Sequence, residues 1–241
     1  MQNFLETLNH PQQQATTTVK GPMMIIAGAG SGKTRVITYR IAYLMQNGVD
    51  PFSILALTFT NKAAKEMKER IEHIVGADKA RSLWMGTFHS VFSKILRIEA
   101  EKLGFPTNFT IYDTDDSKSL LKSIIKELGL DEKQYKPGLV YNRISAAKNN
   151  LLSWKAYNAN EEIQREDKLS VKPQLGTIYK IYQQRLFQSS AMDFDDLLFN
   201  TNILFRDFPD VLLKYQHKFK YVMVDEYQDT NFSQYVIVKK L

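Results

Sequence analysis

Short apolar runs alternate along this chain with longer segments in which apolar residues recur every three or four positions. Three apolar runs predict buried strands, at residues 23–26, 54–58 and 83–87. Each run precedes a segment with helical periodicity, at residues 35–44, 61–74 and 88–103. Strands that alternate with helices predict a parallel sheet covered by helices on its faces.

The pattern changes in the middle of the chain. From residue 109 to 190 the sequence is charged and helical, and we expect no strand there. Helices are predicted at residues 113–128, 140–151 and 177–187. A helix at 197–205 and a strand at 221–224 then follow. We therefore predict a discontinuous α/β domain of residues 1–106 and 191–241, interrupted by an all-helical insertion domain of residues 107–190.

Composition adds little to this prediction. The chain has 241 residues, 44% of them hydrophobic, and it contains no cysteine, so disulfides and thiolate metal sites are excluded. The net charge of +6 moderately favours a polyanionic partner. No apolar run is long enough to cross a bilayer, so we expect a cytoplasmic protein without a membrane partner.

The most informative segment follows the first predicted strand and reads Ala27-Gly28-Ala29-Gly30-Ser31-Gly32-Lys33-Thr34. A strand, a glycine-rich loop, Lys-Thr and a helix form the pattern of a phosphate-binding loop. Its glycines let backbone N–H groups approach a polyphosphate, and the helix N-terminus adds partial positive charge. Lys33 is expected to reach the outer phosphates and Thr34 to bind Mg²⁺. Ala27 stands where the pattern usually has glycine. The alternative is a flexible turn.

Two acidic residues, Asp225 and Glu226, directly follow the last predicted strand. An apolar strand that ends in two acids is the second half of the nucleotide site in a phosphate-loop ATPase. Asp225 is expected to hold Mg²⁺ opposite Thr34, directly or through water. Glu226 is expected to orient and deprotonate the attacking water.

Five sequence blocks, in this order, resemble the first half of a UvrD/Rep/PcrA-type superfamily 1A DNA helicase. They are Ala27–Arg35, Thr58-Phe59-Thr60-Asn61-Lys62-Ala63-Ala64, Gly86-Thr87-Phe88-His89-Ser90, Asp193-Phe194-Asp195-Asp196-Leu197 and Asp225-Glu226-Tyr227-Gln228-Asp229-Thr230-Asn231. The resemblance covers nearly the whole chain. It implies a RecA-like phosphate-loop sheet, the family's helical domain 1B as the insertion, and ATP with Mg²⁺ as cofactors.

The resemblance also implies roles in the nucleotide site. Gln12 corresponds to the residue that hydrogen-bonds adenine, and Arg35 to one that lies against the nucleotide. Lys33, Glu226 and Gln228 are the implied catalytic residues. The implied nucleotide-binding residues are Gln12, Ala27, Gly28, Ala29, Gly30, Ser31, Gly32, Lys33, Thr34 and Arg35, and the implied metal ligands are Thr34 and Asp225.

Further positions correspond to DNA contacts in the family. Those implied for single-stranded DNA are Phe59, Asn61, Thr87, His89 and Phe194, where aromatic rings would stack on bases without reading their identity. Packing in the core is the alternative for the two phenylalanines. Arg143 and Lys148 lie in a segment that resembles a duplex-contacting stretch, and a solvated helix face is the alternative for both.

By this resemblance the chain is expected to be the N-terminal half of an ATP-dependent 3′-to-5′ DNA helicase, inactive alone in unwinding. A part of a helicase-nuclease subunit, or a non-hydrolytic DNA-binding module, is the alternative. Domains 2A and 2B are missing, as is the strand that normally lies between the phosphate-loop strand and the acidic strand. We expect the incomplete sheet to cause self-association or a rearrangement near the C-terminus.

Overall fold

Five strands and thirteen α-helices make up residues 4–241, the part of the chain that the computed structural model describes. The strands are β1 (Ile54–Thr58), β2 (Trp84–Thr87), β3 (Thr110–Tyr112), β4 (Ala191–Asp193) and β5 (Tyr221–Val224). The helices are α1 (His10–Thr17), α2 (Lys33–Gln46), α3 (Asn61–Val75), α4 (Ala77–Ala80), α5 (Phe88–Glu99), α6 (Thr114–Glu127), α7 (Pro137–Asn149), α8 (Trp154–Ala159), α9 (Glu161–Leu169), α10 (Leu175–Gln188), α11 (Phe194–Asp207), α12 (Pro209–Lys218) and α13 (Phe232–Lys240). None of the described helices has the length and apolar character needed to cross a membrane.

The chain folds into two compact units. The first contains residues 4–91, residues 213–229 and Leu241, and the second contains residues 92–212 and 230–240. Their boundaries lie at other positions than the predicted ends of the insertion at 107 and 190. The assignment of the insertion as a separate domain stays a prediction.

The first unit is built on a three-stranded parallel sheet with the order β2-β1-β5. All five residues of β1 are buried, as expected for a strand covered on both faces of a parallel sheet. Helices α2 and α3 cover it with Ile41, Leu44, Met67 and Ile71. The predicted strands at 54–58, 83–87 and 221–224 and the helix at 61–74 are thus confirmed, with small differences at their ends.

The predicted strand at residues 23–26 is wrong. This segment has no regular secondary structure, and the side chains of Met24 and Ile26 are 68% and 88% exposed. Within residues 4–241, β5 pairs with β1 alone, so one of its edges is open. Without a hydrogen-bonded neighbour an apolar run does not become a strand. The C-terminal residues 232–240 form α13 in the second unit and do not pair with β5. The expected rearrangement near the C-terminus stays a prediction. Self-association stays a prediction.

The second unit is mainly helical. Its core is formed chiefly by α6, α7 and α10, through residues that include Leu121, Ile124, Val140, Ile178 and Tyr182. The prediction that residues 109–190 hold no strand is wrong, since β3 pairs in parallel with β4. Helix α11 starts at a capping box in which Asp193 and Asp196 accept each other's backbone N–H.

Candidate functional site

The phosphate loop ends at Gly32, which takes the left-handed backbone conformation and precedes the first residue of α2. Gly30 has a positive φ as well. A Cβ at Gly32 would lie 2.9 Å from the Gln12 amide nitrogen, so only glycine fits without a shift. No side chain caps α2. The loop therefore leaves the first N–H groups of a 14-residue helix available to an anion.

The Lys33 side chain folds back over the loop. Its Nζ donates hydrogen bonds to the carbonyl oxygens of Ala27 and Gly28, at 2.9 and 3.2 Å. These bonds hold the ammonium next to the loop backbone, where a lysine is predicted to bind phosphate.

Thr34 and Asp225, the two predicted Mg²⁺ ligands, are in contact. The Thr34 hydroxyl donates to Asp225 Oδ2 at 3.0 Å, although 191 positions separate them in sequence. Asp225 is only 4% exposed, and this burial raises the pKa of its carboxyl. A hydroxyl and a carboxylate are the hard oxygen donors that Mg²⁺ takes, so the residues fit the predicted metal.

Glu226 follows in a backbone conformation that is unusual for its residue type. Its φ is +51°, in the left-handed region, and its N–H donates to Asp225 Oδ1 at 3.1 Å. The Gln228 amide donates to the Glu226 carboxylate. Strained backbone persists where the surroundings hold it in place, and it often marks a functional position. Two of the three predicted catalytic side chains, Glu226 and Gln228, are thus hydrogen-bonded to each other.

Most of these predicted residues border one cavity of about 510 Å³ in the first unit. It is lined by Ala29, Gly30, Gly32, Lys33, Thr34, Arg35, Arg70, Glu226 and Gln228. Arg70 was missed by the sequence analysis because it belongs to no recognised block. Arg70 lies on α3. The only sequence signal for it is that α3 follows β1, which pairs with β5, the strand that precedes Asp225. The cavity combines three basic side chains with two acidic or amide ones, as a magnesium–polyphosphate complex requires.

Gln12 lies at the third position of α1 and links that helix to the phosphate loop. Its Nε2 donates to the Ser31 carbonyl at 3.0 Å, and its Oε1 accepts from the Asn9 backbone N–H at 3.1 Å. Its predicted contact with adenine stays a prediction.

The first two predicted DNA-contacting blocks lie at the same edge of the sheet in the first unit. Thr58 and Thr87 are register partners at the ends of β1 and β2, so the residues after them are neighbours. Phe59 is half-buried with its ring 5.6 Å from that of Phe88. Asn61 is exposed, and His89 is half-buried. Their contacts with DNA stay predictions.

In the second unit, Phe194 is 46% exposed at the first position of α11. The Arg143 guanidinium donates to the carboxylates of Glu166 and Asp167 at 3.0 and 3.3 Å, and to the Tyr157 hydroxyl. Its side chain is 38% exposed, so a phosphate would have to compete with these partners.

Lys148 does not lie on a solvated face and cannot contact DNA phosphates from its position. Its side chain is 0% exposed, and its Nζ lies 2.7 Å from Asp193 and 2.8 Å from Asp196. The predicted phosphate contact is wrong for this residue, because a buried cation requires a buried counter-charge, which the start of α11 supplies.

Residues 8–241 match the family described as UvrD/REP helicase N-terminal domain. The whole chain is 47% identical to an ATP-dependent DNA helicase PcrA of Staphylococcus epidermidis and 46% identical to one of Staphylococcus aureus, in each case over 242 aligned residues. It spans 32% of the length of these relatives. With a match that covers nearly all of its residues, this chain belongs to the UvrD/REP helicase family and holds the N-terminal domain of that family.

Proposed function

We propose that this chain is the nucleotide-binding and DNA-binding part of an ATP-dependent DNA helicase that moves 3′ to 5′ along single-stranded DNA. The observation that supports it best is the hydrogen bond between Thr34 and Asp225. Thr34 lines a cavity that Lys33 and Glu226 also line. In this proposal the groups that bind phosphate, the groups that bind the metal and the acid that acts on water are close neighbours.

Each residue has a distinct task in this proposal. The loop N–H groups and Lys33 bind the β- and γ-phosphates of ATP. Thr34 and Asp225 hold Mg²⁺, which neutralises charge on the phosphate oxygens when bound. Glu226 orients the attacking water and accepts its proton, and the Gln228 amide holds the Glu226 carboxylate in place. Arg70 provides a further positive charge at the cavity wall.

Direct titration of this chain with Mg-ATP in a calorimeter tests the nucleotide site. Lys33→Ala removes charge-assisted hydrogen bonds worth about 1.5–3 kcal/mol, so affinity should fall roughly 10-fold or more. Lys79→Ala, an exposed lysine of α4 outside the cavity, is the matched control and should bind normally. Equal affinity for wild type and Lys33→Ala would refute the assignment.

The metal ligands are tested by measuring ATP affinity with Mg²⁺ and with EDTA. Mg²⁺ should tighten binding to the wild type, and Asp225→Asn should lose most of this gain while binding metal-free ATP at least as well. A gain from Mg²⁺ that survives Asp225→Asn would place the metal elsewhere.

The helicase proposal is distinguished from its alternatives in a protein of the relatives' full length. DNA-stimulated ATP hydrolysis, with unwinding of duplexes that carry a 3′ tail and not a 5′ tail, is the expected result. Binding of DNA without hydrolysis would favour the non-hydrolytic module, and DNA cleavage would favour the helicase-nuclease subunit. For the 241-residue chain alone we expect DNA binding without unwinding.

A further inference from the structure

The Arg35 guanidinium, which lines the nucleotide cavity, rests on the ring of Tyr39. Its Cζ lies 5.2 Å from the ring centroid, within the range of a cation–π contact. The two residues are four positions apart on α2 and therefore share one face of that helix. The aromatic ring is thus a support for the guanidinium at the cavity wall.

Three further contacts hold Arg35 and Tyr39 in place. Arg35 Nη2 donates to the Thr7 carbonyl at 3.1 Å, and the Thr7 hydroxyl donates to the Tyr39 hydroxyl at 3.4 Å. The Phe4 ring packs against the Tyr39 ring with centroids 5.5 Å apart. The guanidinium is therefore held by a backbone carbonyl and by an aromatic ring that has its own supports.

The charges around Tyr39 agree with this arrangement. The hydrogen bond from Thr7 and the adjacent Arg35 guanidinium lower the pKa of the Tyr39 hydroxyl, and the charge of Arg70 lowers it further. The phenol oxygen therefore lies in the field of the two arginines that border the cavity.

We propose that Tyr39 is a positioning residue that holds the Arg35 guanidinium in a fixed plane for contact with the nucleoside part of the bound nucleotide. This inference rests on the proposed nucleotide binding. A free arginine side chain loses rotamer entropy when it stacks, and a supported one has lost it beforehand. Tyr39 should therefore increase the affinity for a nucleoside triphosphate and not that for inorganic triphosphate. The reason is that the phosphates bind at the loop, whereas the Arg35 guanidinium contacts the nucleoside.

The test compares the dissociation constants of Mg-ATP and of magnesium triphosphate for four forms of the chain. Tyr39→Leu should weaken ATP binding roughly two- to fivefold, the range expected for an exposed cation–π contact, and leave triphosphate binding unchanged. Tyr39→Phe keeps the ring and should restore most of the affinity. Tyr43→Leu, the same change one turn later on α2, is the control and should alter neither constant.

Unchanged ATP affinity in Tyr39→Leu, or an equal loss for both ligands, would overturn the proposal. A double-mutant cycle with Arg35→Lys serves as a second test, since Tyr39→Leu should cost much less when no guanidinium remains to be positioned. Additive effects would also contradict it. If the wild type binds neither ligand, the proposed function itself fails, which is distinguishable from a failure of the Tyr39 assignment alone.

Discussion

The Nζ of Lys148 lies 2.7 Å from Oδ2 of Asp193, with both side chains buried in the second unit. Asp196 shares the same ammonium at 2.8 Å, and the Tyr182 hydroxyl donates to Asp193 at 2.8 Å. The cluster joins α7, β4, α10 and the first turn of α11. A cation so placed fixes how these elements pack, because each of its partners would be costly to bury alone.

Replacing Lys148 by methionine should destabilise the chain by about 3–5 kcal/mol, since Asp193 and Asp196 would stay buried without a counter-charge. The urea midpoint measures this loss. Lys122→Met, on the exposed face of α6, is the control and should change stability by less than about 0.5 kcal/mol. A small effect of Lys148→Met would mean that water reaches the cluster.

Asp196 should make stability depend on pH. Burial and the neighbouring charge of Asp193 raise the pKa of Asp196 to about 6, from a usual 3.8, against the opposing effect of Lys148. Burial and Asp193 also raise the pKa of Asp195. An acid whose pKa is higher in the folded state than in the unfolded state makes its largest contribution to the free energy of unfolding at low pH. Its contribution should be lost as pH rises from about 4 through 6.

This pH dependence is measured as the difference in unfolding free energy between wild type and Asp196→Asn across that range. The amide does not titrate, so the variant should lose the part of the decline that Asp196 contributes and keep the part that Asp195 contributes. Glu132→Gln, an exposed acid of the same unit, should leave the decline in place. Parallel curves for wild type and Asp196→Asn would contradict the assignment.

Phe59 should contribute stacking, not charge, to DNA binding. Phe59→Ala is expected to weaken binding of a fluorescent oligothymidylate by about 1–3 kcal/mol, the usual contribution of one stacked base. The slope of affinity against salt should not change, because that slope reports phosphate contacts. Phe52→Ala, also in the first unit and 54% exposed, is the control. Unchanged affinity would show that Phe59 only packs against Phe88.

Val171 occupies a position suited to glycine. It follows α9 with φ +59°, and the next N–H, from Lys172, donates back to the Asp167 carbonyl at 2.7 Å in a Schellman arrangement. Left-handed backbone costs a residue with a Cβ roughly 1–2 kcal/mol, so Val171→Gly should stabilise the chain by about 0.5–1 kcal/mol after the entropy of glycine is counted. Thermal unfolding measures this gain. Val171→Ala retains a Cβ and should gain less; an equal gain would point to another cause.

The sequence by itself predicted the features that are encoded locally. Gly30 and Gly32 both take a positive φ in the loop just before Lys33, a conformation that glycine tolerates without a steric cost. The strand β1 was visible as a continuous apolar run, because a strand covered on both faces buries every residue. The spacing of Met67 and Ile71 in α3 was visible as periodicity, because helix side chains face the core at fixed intervals.

Only the tertiary structure decided features that depend on a partner far along the chain. Residues 23–26 are as apolar as β1 but are not a strand, whereas β3 is only three residues long and exists because β4 lies beside it. The sequence around Lys148 is typical of an exposed helix residue, but Asp193 at the end of β4 and Asp196 in the first turn of α11 both contact its ammonium. Backbone pairing and burial of charge are satisfied by groups remote in sequence, so no local pattern contains them.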